Sequence, residues 1–287
     1  MLRLLRRQRE EPAPQKPVLD LSGPKLRRAL SHLVESAEPT GGIERYVSAL
    51  ALKASLFGEL LGKGKVEEVT AAEFRDLASF ITPARRRIGP YLEDGVFPKF
   101  RDRLSKLLDG WSDTATADAR LAQFIQDFPQ DKDHRFIRDL GAELLHFTAP
   151  DRYPLMTRWM WDARVGTGVL REIWFDEQPL DGAIPVADGF ATFDTLFEEL
   201  HGFLAANGVF RDHVFYADLL TAHVYADYIN DQGGTYLRSD FAETSDRMMH
   251  TRRMLGLDAI NTETGRTRLK LIDGTAHVLG GGPQISS

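Results

Sequence analysis

The segment from Arg152 to Trp174 holds the side chains most typical of a binding surface. It contains three of the four tryptophans of the chain together with four arginines. Tryptophan and arginine are enriched at binding hot spots because each offers a large contact area with a polar group at its end. The segment therefore predicts a partner-binding surface. Its residues are Arg152, Arg158, Trp159, Trp161, Arg164 and Trp174. The alternative is that the tryptophans pack in the core at helical spacing.

The pattern Glu-x-x-His occurs twice, and it is the spacing of a helical metal site. A spacing of three puts both side chains on one helix face, and two such pairs with two further glutamates form the di-iron carboxylate sites of four-helix bundles. The alternative function is therefore a helical metalloprotein, an oxidoreductase. Its ligands would be Glu59, Glu143, His146, Glu172, Glu198 and His201. The simpler interpretation is an exposed glutamate beside a partly buried histidine, and on it we expect no metal and no other cofactor.

A third set of polar residues lies on the helix predicted to begin near Phe210. At about 100° per residue, His213, Tyr216, His223 and Asp227 share one stripe beside an apolar face. A polar stripe at the border of a core can hold a hydrogen-bond network or a metal. Because His223 and Asp227 supply only two ligands, a structural network is the simpler interpretation.

One stretch resembles a known family. It reads Asp139-Leu-Gly-Ala-Glu-Leu-Leu-His-Phe-Thr-Ala-Pro-Asp-Arg-Tyr-Pro-Leu-Met156, a helix followed by a proline-containing turn. It resembles the stretch of helix-hairpin-helix DNA glycosylase-like proteins in which the next helix begins near a catalytic aspartate. Thr157 stands where that aspartate would align. The resemblance implies an all-helical scaffold and, as a further alternative, a degenerate glycosylase-like protein that binds nucleic acid.

Several classes of protein are excluded by missing residues. The chain has no Gly-x-Ser-x-Gly, His-Glu-x-x-His, phosphate-loop or Gly-x-Gly-x-x-Gly motif, so the common hydrolases, zinc proteases, nucleotide triphosphatases and dinucleotide enzymes lack their signatures. It has no cysteine, which excludes disulfides and thiolate-held metals. A net charge of −6 makes nucleic acid an unfavourable partner, because phosphate binding requires Lys and Arg.

Apolar residues that recur every three to four positions predict a mainly α-helical chain. Thr70 and Glu73 have the spacing of a capping box, which starts a helix. The turn Gly166-Thr-Gly168 could start another, whose free N–H groups would suit an anion beside Arg164. The predicted helices are Pro24–Ala37, Ile43–Leu61, one beginning at Thr70, Phe97–Leu108, Ala117–Phe128, Asp133–Phe147, Thr192–Ala206, Phe210–Asn230 and Phe241–Leu255.

The ends of the chain differ from the helical region. Residues 1–17 predict a basic, proline-containing tail, and residues 256–287 a small β-hairpin with a flexible tail. The hairpin is indicated by two alternating runs around Asp273-Gly274, a dipeptide typical of two-residue turns. Between them, 18–255 predicts an all-helical domain with candidate points of subdivision at 148–154 and 178–191.

These patterns favour a non-enzymatic binding or accessory protein over the two alternatives, although no motif excludes catalysis. The partner is expected to be a protein that contacts the Arg152–Trp174 segment. The basic start never reaches the apolar run of a signal peptide, and no stretch reaches the roughly 18 apolar residues that span a membrane. We therefore expect a cytoplasmic location.

Overall fold

The computed structural model describes residues 16–175, 184–232, 246–259, 266–270 and 276–278. The predicted mainly α-helical fold is confirmed in these residues. None of the described helices is both long and apolar enough to cross a membrane. The helices are α1 (Gly23–Ala37), α2 (Ile43–Leu61), α3 (Ala71–Ser79), α4 (Phe97–Leu108), α5 (Ala117–Gln126), α6 (Phe136–Thr148), α7 (Val169–Ile173), α8 (Phe190–Ala206), α9 (His213–Gln232) and α10 (Met249–Met254). Short 3-10 helices cover Glu38–Thr40, Gly62–Glu67, Gly89–Leu92, Thr114–Thr116 and Leu257–Ala259.

Two helix starts show how the local sequence fixes these bounds. The Ser22 hydroxyl accepts a hydrogen bond from the backbone N–H of Lys25, and Pro24 occupies the first turn of α1. At α3, Thr70 and Glu73 form the predicted capping box, each side chain accepting from the other residue's backbone N–H. Such caps satisfy N–H groups that have no partner inside the helix.

Helix α9 is the central element of the fold. It packs against α1, α2, α7, α8 and α10, and every side chain from Tyr216 to His223 is buried. A helix that is enclosed on all sides can bring its polar residues against several neighbours at once. Among the described residues, all the buried apolar side chains except that of Ala226 form one cluster, which runs from Leu19 to Leu257.

The glycine turn in the Arg152–Trp174 segment precedes a helix, as predicted. Gly168 is the N-cap of α7, which is five residues long. Its φ is +129°, and a Cβ at this position would lie 2.8 Å from the carbonyl oxygen of Met160. Only glycine therefore fits this turn without displacing the backbone.

The C-terminal region contributes two short strands, β1 (Arg266–Lys270) and β2 (Ala276–Val278). The predicted turn at Asp273-Gly274 lies outside the described residues, and so do 1–15 and 279–287 of the two predicted tails. The hairpin around Asp273-Gly274 therefore stays a prediction.

Candidate metal centre

Three potential metal ligands from two helices meet where α1 packs against α9. Nδ1 of His32 lies 2.7 Å from Oδ2 of Asp227 and 3.1 Å from Nε2 of His223. Nε2 of His223 lies 3.8 Å from Oδ2 of Asp227. In the described part of the chain, this is the one group of three His, Asp or Glu residues whose ligand atoms all lie within 4.8 Å of one another.

The helix geometry explains why these side chains converge. His223 and Asp227 are four residues apart on α9, so they lie one above the other on the same helix face. Leu26 and Leu33 are buried on α1, which places His32 beside the contact with α9. The third potential ligand, His32, reaches this site only because α1 packs against α9, since it lies 191 positions from His223 in the chain.

The cluster has a buried side and an open side. His223 is 1% exposed, whereas the side chains of His32 and Asp227 are 37% and 39% exposed. A metal bound by all three side chains would therefore contact the buried His223 on one side and be accessible to solvent on the other. Open coordination positions are what distinguish catalytic from structural metal sites.

Burial keeps the His223 ring in the form that binds metals. It lowers the pKa of His223 to about 4, an effect that the nearby Asp227 carboxylate opposes and the His32 ring reinforces. The ring is therefore neutral at neutral pH and has a lone pair to donate. Neutral imidazole and ionised carboxylate are the states in which these side chains coordinate metals.

The separations of the three ligand atoms are close to those of ligands around one metal ion. Ligands roughly 2.0–2.2 Å from a common ion lie about 3.0–3.5 Å from one another in octahedral or tetrahedral geometry. The observed separations of 2.7, 3.1 and 3.8 Å bracket that range.

The structure does not gather the two Glu-x-x-His pairs into one group of potential ligands. Oε2 of Glu143 accepts a hydrogen bond from the buried Lys53 ammonium at 2.9 Å. His146 uses both ring nitrogens, one 2.9 Å from Asp218 Oδ2 and the other 2.7 Å from the carbonyl oxygen of Tyr153. Both side chains of this pair are thus held by contacts within the fold.

The other four residues of the di-iron alternative lie elsewhere. Glu59 is exposed and accepts from the Ser55 hydroxyl, and Glu198 is exposed and accepts from Lys16. Glu172 is half-buried, and burial raises its pKa. His201 stacks on His213 with ring centroids 5.6 Å apart. The six residues Glu59, Glu143, His146, Glu172, Glu198 and His201 are therefore not brought together.

The predicted polar stripe on α9 divides among different partners. Tyr216 donates to the Glu44 carboxylate at 2.7 Å, and His213 contacts the Val209 carbonyl oxygen at 2.8 Å. Of this stripe, only His223 and Asp227 belong to the group of three potential ligands with His32. His32 is the member of this group that the sequence patterns did not single out. The signal for it in the sequence is its position at the border of the apolar face of α1.

The tryptophans of the Arg152–Trp174 segment are mostly packed. Trp161 is 1% exposed, and its indole N–H donates to the Val186 carbonyl oxygen at 3.1 Å. Trp159 is half-buried with its ring beside that of Tyr225, and Trp174 is half-buried too. Trp161 is therefore packed in the core.

The arginines of this segment also have different roles. Arg158 is half-buried and forms an ion pair with Asp139, with 2.7 Å between the closest atoms. Arg152 is exposed, and its guanidinium lies 5.1 Å from the centre of the Trp111 ring. Arg164 is exposed. Arg152 and Arg164 thus lie at the surface, whereas Arg158 stabilises the fold through its ion pair with Asp139.

No family model, curated protein or solved structure matches this chain. The resemblance of residues 139–156 to glycosylase-like proteins therefore stays a prediction. At the position that aligns with the catalytic aspartate of that family, Thr157 is 0% exposed. A buried hydroxyl at this point supplies no carboxylate to a ligand.

Proposed function

We propose that the protein binds one divalent transition-metal ion through His32, His223 and Asp227. The observation that carries this proposal is the convergence of three ligand atoms within 4.8 Å. Two imidazole nitrogens and one carboxylate oxygen on one side of an ion form the two-histidine, one-carboxylate arrangement. This proposal departs from the expectation of no cofactor that the sequence alone favoured.

The donor set indicates what the ion would do. Imidazole suits Zn²⁺, Fe²⁺, Ni²⁺ and Cu²⁺, and a mixed nitrogen and oxygen site with three protein ligands leaves coordination positions for water or a small ligand. An ion at this place would act as a Lewis acid on whatever molecule occupies those positions. The exposure of His32 and Asp227 supports access from solvent.

The test is metal binding by matched variants. Protein stripped with a chelator is titrated with Zn²⁺ by calorimetry and with Co²⁺ by visible absorption. We expect one ion per chain in the wild type, and its loss in His32→Ala and Asp227→Ala. His134→Ala is the control, because His134 also lies 2.7 Å from an aspartate oxygen, that of Asp131, but does not belong to the three-residue cluster.

Two results would reject the proposal. One is a wild-type protein that takes up neither ion at micromolar concentrations. The other is Zn²⁺ binding that persists unchanged in both His32→Ala and Asp227→Ala, since the ion would then be held elsewhere.

As a second function, we propose that the Arg152–Trp174 segment binds a protein partner in the cytoplasm. It is supported by two large apolar side chains next to or within this segment, Val165 and Phe175, which are 61% and 43% exposed. Arg164, directly before Val165, is exposed as well. Apolar side chains flanked by arginine are typical of protein interfaces, and the net charge of −6 favours a protein over a nucleic acid.

A further inference from the structure

Helix α10 places a hydroxyl group next to His223, on the far side of its ring from the cluster of His32, His223 and Asp227. Oγ1 of Thr251 lies 2.9 Å from Nδ1 of His223, on the opposite side of the ring from the cluster. Thr251 is 0% exposed and His223 is 1% exposed, so water does not compete for this contact. The other ring nitrogen of His223, Nε2, faces His32.

The hydrogen bonds among His32, His223 and Asp227 assign the tautomer of His223. Nδ1 of His32 lies 2.7 Å from Oδ2 of Asp227, and an ionised carboxylate only accepts hydrogen bonds. In the metal-free protein Nδ1 of His32 therefore carries a proton, which must leave this nitrogen before it can bind a metal. The same N–H faces Nε2 of His223 at 3.1 Å. Nε2 of His223 must then be the acceptor, so the proton of this neutral ring is on Nδ1 and is donated to Thr251.

We propose that Thr251 is a positioning residue of the metal centre, which holds the His223 proton on Nδ1 and thereby keeps the Nε2 lone pair directed into the cluster. This inference rests on the proposed metal function. Metal-binding histidines almost always donate their second N–H to a neighbouring group, which fixes both tautomer and ring orientation. Loss of such a neighbour typically weakens metal binding about 10- to 100-fold.

Helix α10 is anchored well enough to serve this purpose. It has only six residues, too few to be stable alone. Just beyond it, the carbonyl oxygen of Leu255 accepts from the buried Lys53 ammonium at 2.9 Å. Further along, Asp258 forms two 2.8 Å hydrogen bonds with the Arg85 guanidinium. These contacts tie the segment that directly follows α10 to α2 and to the turn after α3.

The experiment compares Thr251→Val with Thr251→Ser and Thr221→Val. Valine keeps the shape of threonine but cannot accept the hydrogen bond from the His223 N–H, whereas serine keeps the hydroxyl. Thr221 is the control, since it is 1% exposed and its hydroxyl contacts the backbone oxygen of Ala217 instead of the cluster. Folding is checked by circular dichroism, and Thr251→Ala replaces the valine variant if that variant does not fold.

Two readouts are recorded for each protein. Long-range proton–nitrogen NMR of the metal-free protein reports which nitrogen of His223 carries the proton, and Zn²⁺ titration reports affinity. We expect a proton on Nδ1 in the wild type, in Thr251→Ser and in Thr221→Val. In Thr251→Val we expect a mixture of tautomers and Zn²⁺ affinity about 10- to 100-fold weaker.

The outcomes separate this inference from the function on which it rests. If the wild type binds no Zn²⁺, the metal function itself is wrong. If the wild type binds Zn²⁺ and Thr251→Val keeps both its affinity and the Nδ1 proton, the positioning role of Thr251 is wrong. An equal loss of affinity in Thr221→Val would also overturn it, because any buried hydroxyl would then have the same effect.

Discussion

Nζ of Lys53 lies 2.9 Å from Oε2 of Glu143, and their side chains are 0% and 4% exposed. The ammonium also lies 3.7 Å from the centre of the Phe147 ring. Burial lowers the pKa of Lys53 and raises the pKa of Glu143, while their mutual attraction opposes both shifts. This pair joins α2 to α6, and through the Leu255 carbonyl it also holds the segment that follows α10.

Removing one partner of this pair is expected to destabilise the protein strongly. Glu143→Ala leaves the Lys53 ammonium buried without its carboxylate, and breaking a buried pair in this way costs about 3–5 kcal/mol. The double variant Lys53→Met with Glu143→Leu should lose less, because no charge remains inside. Urea unfolding measures the free energy of each variant. A double variant less stable than Glu143→Ala would contradict this account.

The pH dependence of stability should include a contribution from His201. Burial lowers the pKa of His201 below its ordinary value of 6.5, His213 lowers it further, and Asp218 and Glu198 oppose the shift. Within the described residues its buried Nε2 has no hydrogen-bond partner. The folded protein therefore binds fewer protons than the unfolded chain below pH 6.5, so stability is lost as the pH falls through this value.

The variant His201→Gln should reduce that loss. We expect a smaller decrease in the free energy of unfolding between pH 7.5 and pH 5.5 than in the wild type, measured by urea unfolding at both pH values. Glu59→Gln, a change on an exposed residue, serves as the control and should retain the wild-type decrease. An identical decrease in His201→Gln and wild type would show that this ring does not resist protonation in the folded state.

Two tryptophans two residues apart should respond differently to truncation. Trp161 is 1% exposed, so Trp161→Ala leaves a cavity and is expected to cost about 3–5 kcal/mol of stability. Trp159 is half-buried beside Tyr225, so Trp159→Ala should cost clearly less. Thermal unfolding of both variants measures the difference. Equal destabilisation would place Trp159 in the core as well and remove it from the proposed partner surface.

The hairpin predicted around Asp273-Gly274 can be tested by one substitution. A two-residue turn of this type requires positive φ at Gly274, where a Cβ clashes. Gly274→Val should therefore destabilise the hairpin by roughly 1 kcal/mol or more, seen as faster amide hydrogen exchange over 266–279. Helical NMR shifts over these residues in the wild type would rule out the hairpin.

The sequence by itself determined most of the helices. The predicted bounds Ile43–Leu61 and Phe97–Leu108 are those of α2 and α4, and the capping box at Thr70 and Glu73 is present. These features depend on residues three or four positions apart, since helical periodicity and caps arise within one or two turns. The same local spacing correctly put His223 and Asp227 on one stripe.

Only the tertiary structure decided which polar residues meet. Glu143 and His146 have the spacing of metal ligands, but Lys53 and Asp218 reach them from other helices and engage them. His32 joins His223 across 191 positions of sequence, a contact that depends on how α1 packs against α9. No local pattern encodes that distance, because it is set by the combined packing of the side chains between the helices.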